Sequence, residues 1–288
     1  MNIILFTVIV LATIGIVLAV ILYFLAQKFK VYEDPRIDTV NEALPAANCG
    51  GCGYAGCRNF AEMLVKADDI TALFCPVGGN TVMMTIAQIL GKAVEAKDPM
   101  IAVVRCSGSF EHRPRTNVYD GVLSCAIQQA LYSGDTDCPY GCLGCADCVT
   151  SCKFDAIAIN PETGLPVVNE ANCTGCGACV KACSRSVIEL RYKDKKNRQI
   201  FVSCANKDKG GIAKKYCAVA CTGCTKCLKV CTFDAIKIEN NLAHIDSKAC
   251  KMCRKCVPEC ATNSILEINF PARKTVATSV YEKETVLS

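Results

Sequence analysis

The chain begins with an unbroken apolar run: MNIILFTVIVLATIGIVLAVILYFLAQ carries no charged side chain before Lys28. Ile3 to Ala26 is 24 residues, roughly 36 Å of helix at about 1.5 Å per residue, against a hydrocarbon core of about 30 Å. Residues 1–30 are therefore expected to form an uncleaved transmembrane anchor. A signal peptide would have a shorter apolar stretch, a basic residue ahead of it and a small-residue cleavage site behind it, and the run shows none of these. Lys28 and Lys30 follow directly, so the excess of positive charge on that flank places the rest of the chain in the cytoplasm.

Beyond the anchor the pattern breaks into short pieces. Residues 31–47 are polar and proline-bounded, which reads as a linker. Between Cys57 and Cys75, Phe60, Met63 and Leu64 recur at helical spacing, and residues 81–97 show the same period. Residues 48–98 are thus expected to be a small helical domain with a glycine-rich loop. Met100 to Arg105 is a short apolar run of strand type, and residues 118–131 read as helix. In AIAINPETGLPVVNEANC and AIKIENNLAHIDSKAC, apolar residues alternate around turn formers, Pro161 to Gly164 and Asn240-Asn241, which predicts one hairpin in each. Residues 271–288 have no strong period and are expected to be a flexible tail.

Composition changes the picture through sulfur. The 288 residues include 25 cysteines, two histidines and no tryptophan. A chain so rich in cysteine is expected to divide into several small units in which metals or cross-links replace a large apolar core. Disulfides persist mainly outside the reducing cytoplasm, and an odd number of cysteines fits a pure disulfide framework poorly. The net charge of +5, from 32 basic and 27 acidic side chains, is mild. The basic stretches 111–115 and 193–198 lack interleaved aromatics, so they read as solvated loops and no nucleic-acid partner is expected.

The cysteines repeat. Residues 142–152, 173–183, 221–231 and 250–260 each carry C-x2-C-x2-C-x3-C. Cys125, Cys138, Cys142, Cys145, Cys148 and Cys152 recur 79 residues later as Cys204, Cys217, Cys221, Cys224, Cys227 and Cys231, followed in both cases by FDAI. The second motif of each half recurs after 77 residues. This is the mark of a duplicated unit. It divides the chain into a connecting segment 99–137, one unit at 138–192, a second connection 193–216, and a second unit at 217–270.

Structural zinc sites generally use two C-x2-C pairs separated by a longer loop, so that four thiolates surround one ion. Here the third cysteine comes after only two residues and the fourth after three more. A tightly wound loop of that kind can supply three corners of a cubane while the fourth is reached from elsewhere. The amino-terminal unit differs, with C-x2-C-x4-C-x17-C through Cys49, Cys52, Cys57 and Cys75, and zinc stays open there beside iron-sulfur. Its glycines 50, 51, 53 and 56 let backbone N–H groups approach sulfur closely. Its text GGCGYAGC with CPVGG resembles a four-cysteine cluster domain found beside electron-transfer modules.

The four tight motifs resemble those of bacterial two-cluster ferredoxins, whose fourth cysteine serves the other cluster. That resemblance implies four ligand sets: Cys142, Cys145, Cys148 with Cys183; Cys173, Cys176, Cys179 with Cys152; Cys221, Cys224, Cys227 with Cys260; and Cys250, Cys253, Cys256 with Cys231. The proline usual after the fourth cysteine is replaced by Lys153, Ser184, Thr232 and Ala261, so an altered local stiffness is expected with ligation intact. Cys106, Cys125, Cys138, Cys204 and Cys217 stand outside these sets. They read either as small buried apolar residues or as the source of four ligands for a sixth cluster.

The order of modules, an anchor, then GCGYAGC with CPVGG, then YGCLGCADC and two ferredoxin-like units, resembles over nearly the whole chain the family of B subunits of the Rnf complex, a membrane-bound ferredoxin:NAD oxidoreductase coupled to ion translocation. The resemblance implies an inner (cytoplasmic) membrane protein with its clusters on the cytoplasmic side. It also implies soluble ferredoxin and other subunits of the complex as partners, and flavin and nicotinamide sites that lie elsewhere. No nucleotide-binding glycine motif is present, and His112 and His244 stand apart in polar contexts that suit a surface. The expected fold is α+β: one transmembrane helix, a small helical four-cysteine domain, and two tandem ferredoxin-like units with five [4Fe-4S] clusters, or six. A self-contained membrane-anchored iron-sulfur reductase and a zinc-stapled scaffold are the alternatives.

Overall fold

The structure, a computed structural model, describes residues 3–28, 34–131, 134–194 and 196–272. Helix α1 runs from Ile3 to Lys28 and contains one span, Leu5–Leu25, long and apolar enough to cross a membrane. Within that span the leucines, isoleucines and valines face outward from the protein, as a lipid-facing helix requires.

The segment expected as a linker, 31–47, is corrected where it is described. Helix α2 (Arg36–Ala43) turns Ile37 and Val40 inward, and Leu44 follows them into the core. These residues pack with Phe60, Ala61, Leu64 and Val65 of α3 (Cys57–Lys66) and with Met83, Ile86, Ala87 and Leu90 of α4 (Gly79–Leu90). The polar surface of α2 hid three apolar positions at helical spacing. Two devices end the neighbouring helices. The Lys92 ammonium donates to the carbonyls of Leu64, Val65 and Ala67 at 2.6–3.0 Å, covering acceptors that α3 leaves free at its end. Gly91, at φ 64°, stops α4, so the helix expected over 81–97 closes before Gly91 rather than at Lys97.

Among the described residues the rest is built from four two-stranded antiparallel sheets. Strand β1 (Met100–Val104) leads to α5 (Cys125–Leu131), which is all that forms of the helix expected over 118–131. Then α6 (Asp147–Thr150), β2 (Ile157–Ile159), β3 (Pro166–Val168), α7 (Ala178–Ala182) and β4 (Ile188–Tyr192) complete the first unit. The second has the same order of four strands, with β5 (Gln199–Val202), α8 (Gly210–Tyr216), α9 (Lys226–Lys229), β6 (Ile236–Glu239), β7 (Leu242–Ile245) and β8 (Ile265–Ile268), and among the described residues no helix in the place of α7. Both expected hairpins are present, β2 with β3 and β6 with β7. Asn240 and Asn241 take φ 49° and 59° in the second, the left-handed pair that a two-residue hairpin turn favours.

The two connecting segments are partly corrected as well. β1 pairs with β4 and β5 pairs with β8, so each unit begins with a strand that the motif-based boundaries left outside it. The reason is physical: each closing strand, opened by a buried isoleucine, Ile188 or Ile265, needs a partner for its backbone, and the apolar run ahead of the unit supplies it. The tail expected over 271–288 lies beyond the described residues from position 273 onward.

The units are joined. Arg191 on β4, only 2% exposed, donates to the carbonyls of Ile200 at 3.2 Å and Ile245 at 2.7 Å and pairs with Glu189 at 2.8 Å. Two of those partners belong to the second unit.

Candidate iron-sulfur sites

The amino-terminal recess is lined by Cys49, Cys52, Cys57 and Cys75, with Gly50, Gly56 and Phe60. Asn48 accepts the Cys57 N–H at 2.8 Å and so fixes the start of α3 beside the recess. Gly53 at φ 92° and Gly50 at φ 70° carry the loop through backbone that side chains disfavour. The N–H of Gly51 points to Cys49 Sγ at 3.5 Å and that of Gly78 to Cys75 Sγ at 3.3 Å.

In the first ferredoxin-like unit one recess holds Cys152, Cys173, Cys176 and Cys179 beneath Ala102, Ile157 and Leu190. The other holds Cys142, Cys148 and Cys183 together with Cys125, and Cys125 makes a side-chain hydrogen bond with Cys145. In the second unit Cys231, Cys250, Cys253 and Cys256 line a recess below Ile200, Ile236 and Ile245. Cys227 lies within electrostatic reach of Cys221, Cys224 and Cys260. The cross-motif grouping follows from the local fold: the motifs at 142–152, 173–183 and 221–231 each wind into one turn of helix ahead of the fourth cysteine, the motif at 250–260 makes a turn over 255–259, and α6 and α7 pack together.

Three of the fourth cysteines share a further feature. Cys152, Cys183 and Cys260 each accept the N–H of the residue four positions on, Ala156, Val187 and Ser264, at 3.2–3.4 Å. Such donors stabilise charge on sulfur and tune a bound cluster. Burial pushes the thiols the other way: Cys148 and Cys256 rise to about 12, Cys179 and Cys227 to about 11, and Cys142 well above its ordinary value. Binding iron must therefore release protons from these groups. Among the described residues no three Cys, His, Asp or Glu donors converge on the position of a single ion. The thiols line shallow recesses.

The remaining cysteines divide in a way the 79-residue offset did not suggest. Cys106, Cys138, Cys204 and Cys217 are buried at 5–8% exposure, whereas Cys125 is half-buried at the first recess. Three polar residues near the sulfurs had no motif to announce them. Gln128, 4% exposed, accepts the Cys145 thiol at its Oε1 at 2.9 Å. Asn206 Nδ2 stands 3.6 Å from Cys138 Sγ, and the Arg113 guanidinium is buried next to Cys142. Of the two histidines, His244 is half-exposed and 3.7 Å from Glu189. His112 is partly covered, and its carbonyl accepts the N–H of Ala218.

Family models match three stretches of the chain. Residues 44–76 match an Fe-S cluster family, and residues 141–187 and 172–235 match the 4Fe-4S dicluster domain. The second match runs from the last motif of one unit into the first of the next. The chain is 40% identical over 270 residues to the B subunit of the proton-translocating ferredoxin:NAD(+) oxidoreductase complex of Clostridium ljungdahlii, covering 93% of this chain and 94% of that one. It is 41% identical over 265 residues to the B subunit of the Na(+)-translocating ferredoxin:NAD(+) oxidoreductase complex of Acetobacterium woodii, covering 92% and 78%. With the B subunit of the ion-translocating oxidoreductase complex of Methanosarcina acetivorans it shares 38% identity over 256 residues, 89% and 95% of the two chains. An apolar anchor, iron-sulfur domains in series and similarity along almost the full length lead to one conclusion: the chain belongs to the family of B subunits of ion-translocating Rnf-type oxidoreductase complexes, as a membrane-anchored iron-sulfur electron-transfer subunit.

Proposed function

We propose that five sets of four cysteines each bind a [4Fe-4S] cluster and that the chain relays electrons from reduced ferredoxin toward the other subunits of its complex. The sets are Cys49, Cys52, Cys57 and Cys75 in the amino-terminal unit and the four cross-motif sets of the two ferredoxin-like units. The observation that carries this reading is the lining of the recesses, where Cys183 sits with Cys142 and Cys148 while Cys152 sits with Cys173, Cys176 and Cys179. When bound, such clusters supply one-electron carriers whose potentials follow sulfur hydrogen bonds, charge and solvent access.

The protein's own residues set those conditions. Backbone N–H groups of Gly51, Gly78, Ala156, Val187 and Ser264 hold the sulfurs as acceptors. The apolar cover from Ile157, Ile200 and Ile236 limits water. Cys224 and Cys253 are the exposed thiols of the second unit, so electrons enter or leave most readily there, close to Lys226, Lys251 and Lys255. The anchor keeps these units at the cytoplasmic face of the membrane, next to partners in the complex that hold the nicotinamide chemistry.

The full chain, prepared anaerobically, should contain at least about 20 irons with matching sulfide, at four per cubane. Its visible absorption should bleach with dithionite and with reduced ferredoxin, and it should not reduce NAD without other subunits. A colourless protein loaded with zinc would overturn the reading. Reduction of NAD by the isolated chain would favour a self-contained reductase instead.

A further inference from the structure

Four cysteines not used by the five sets come together where the two ferredoxin-like units meet. Cys106 lies two residues beyond Val104, the end of β1, and Cys204 two residues beyond Val202, the end of β5. In the strand pairings Val104 faces Ile188 and Val202 faces Ile265, and each partner stands five residues after the last cysteine of its unit, Cys183 or Cys260. Cys106 and Cys204 therefore occupy the same place in the two folds. Cys138 and Cys217 also correspond, since each precedes its first motif by four residues.

This corrects the pairing of Cys125 with Cys204 at the 79-residue offset. Between Cys106 and Cys138 the chain takes 32 steps, against 13 between Cys204 and Cys217. The first unit thus carries an insertion, and α5 with Cys125 lies inside it. Cys125 shares the offset without sharing the position.

Contacts across the junction close the group. The Ser107 N–H donates to the Ser203 carbonyl at 3.2 Å, and the two hydroxyls meet at 2.7 Å, which ties the residue after Cys106 to the residue before Cys204. Arg105 donates to the Cys204 carbonyl at 3.2 Å. Asn206, two residues beyond Cys204, reaches Cys138 Sγ at 3.6 Å. A β-carbon on Gly108 would lie 3.5 Å from Cys217 Sγ, and one on Gly141 would lie 3.4 Å from Cys138 Sγ.

Those two glycines also face Arg113. It is 7% exposed, and its Nη2 donates to the Cys142 carbonyl at 2.7 Å, while Nε and Nη1 have no hydrogen-bond partner among the described residues. A buried guanidinium with free donors is costly unless something anionic answers it. Cys217 feels its charge together with those of Cys106 and Cys138.

We propose that Cys106, Cys138, Cys204 and Cys217 bind a sixth [4Fe-4S] cluster at the junction of the two units, with Arg113 directed at its sulfurs. Each thiol passes its proton to water and displaces one terminal ligand from an iron of a preformed cluster, so one Fe–S bond replaces each Fe–ligand bond broken and no electron changes hands on assembly. The site is connected to both units in the same manner. The N–H of Cys142 donates to Cys106 Sγ at 3.4 Å, and the N–H of Cys221 donates to Cys204. Each bridging sulfur is thereby one hydrogen bond from a ligand of its own unit's first cluster, which makes the junction the electronic link between the units.

The test is iron, sulfide and zinc per chain in the anaerobic full-length protein and its variants. About 24 irons are expected, falling to about 20 in Cys138→Ser and in Cys217→Ser with zinc near zero throughout. Arg113→Gln should keep the iron and shift one midpoint potential downward, with Arg113→Lys restoring most of the shift, an effect that simple loss of packing would not produce. A wild-type value near 20 that neither cysteine variant lowers, one zinc lost in Cys217→Ser, or unchanged potentials in Arg113→Gln would each overturn the proposal. A wild-type value well below 20 would instead count against the five-cluster reading. Should the cysteine variants fail to fold, the wild-type count and the Arg113→Gln potentials still decide.

Discussion

Gly51 rests directly on Cys176: a β-carbon at Gly51 would come within 2.8 Å of the Cys176 carbonyl oxygen and 2.9 Å of its Cβ. The cysteine loop of the amino-terminal unit and Cys176 of the first ferredoxin-like unit are thus in backbone contact. Lys153 supports the contact by donating to the Asn48 carbonyl at 2.8 Å, and Lys181 approaches the Gly50 carbonyl at 3.5 Å. Neither glycine nor lysine holds iron, yet together they set how close two proposed clusters lie.

Gly51→Val should therefore separate the two units without removing a ligand. Crowding a filled contact costs about 1–3 kcal/mol, and backbone on the other side cannot move aside cheaply. The expected outcome is unchanged iron with slower electron exchange between the amino-terminal cluster and its neighbour, read by freeze-quench EPR. Wild-type kinetics in this variant would show that the contact is not an electron route.

Arg191 offers a test of the join between the ferredoxin-like units. Its removal leaves the carbonyls of Ile200 and Ile245 without their buried donor, while Glu189 keeps Arg105 at 3.1 Å; a buried polar group left unpaired costs about 1–3 kcal/mol. Arg191→Ala should lower the melting temperature markedly and raise protease sensitivity between β4 and β5. A melting curve that overlays the wild type would contradict the clamp.

The buried thiols give a pH dependence to the iron-free chain. Burial raises Cys148, Cys204 and Cys256 to about 12, whereas an unfolded cysteine titrates near about 8.5. Because the fold favours the neutral thiol, this contribution is complete below about pH 8.5 and is lost as pH rises toward about 12. Iron-free protein should unfold at progressively lower temperature as pH rises from about 8 to about 10, while iron-loaded protein changes less. Equal slopes for both forms would argue that these thiols are not the groups that bind iron.

The anchor is separable. Deleting residues 1–30 should release the chain from washed membranes with its iron content intact, because Ile37, Val40 and Leu44 complete the amino-terminal core without help from α1. Loss of iron on deletion would mean that the anchor also holds the first unit together.

The local signals in the chain were strong where chemistry is local. Twenty-four residues without a charge suffice to define a membrane span, and C-x2-C-x2-C-x3-C restricts the metal chemistry because the thiols of one short loop can reach only a few geometries. The hairpins were legible for the same reason, since turn residues such as Asn240 and Asn241 act on their immediate neighbours. Helix α2 was not, because so few of its positions are apolar and their value comes from α3 and α4.

What tertiary structure alone decided is which distant residues meet. Pairing of β1 with β4 and of β5 with β8 showed that Cys106, not Cys125, is the counterpart of Cys204, although the 79-residue spacing favoured the opposite. A repeat offset records residue number, and an insertion shifts it; strand register records position in space, and an insertion in a loop leaves it unchanged. Arg113 is buried near Cys138, a sulfur 25 residues away along the chain. It could be recognised only after folding had removed its solvent and left two of its donors facing the junction.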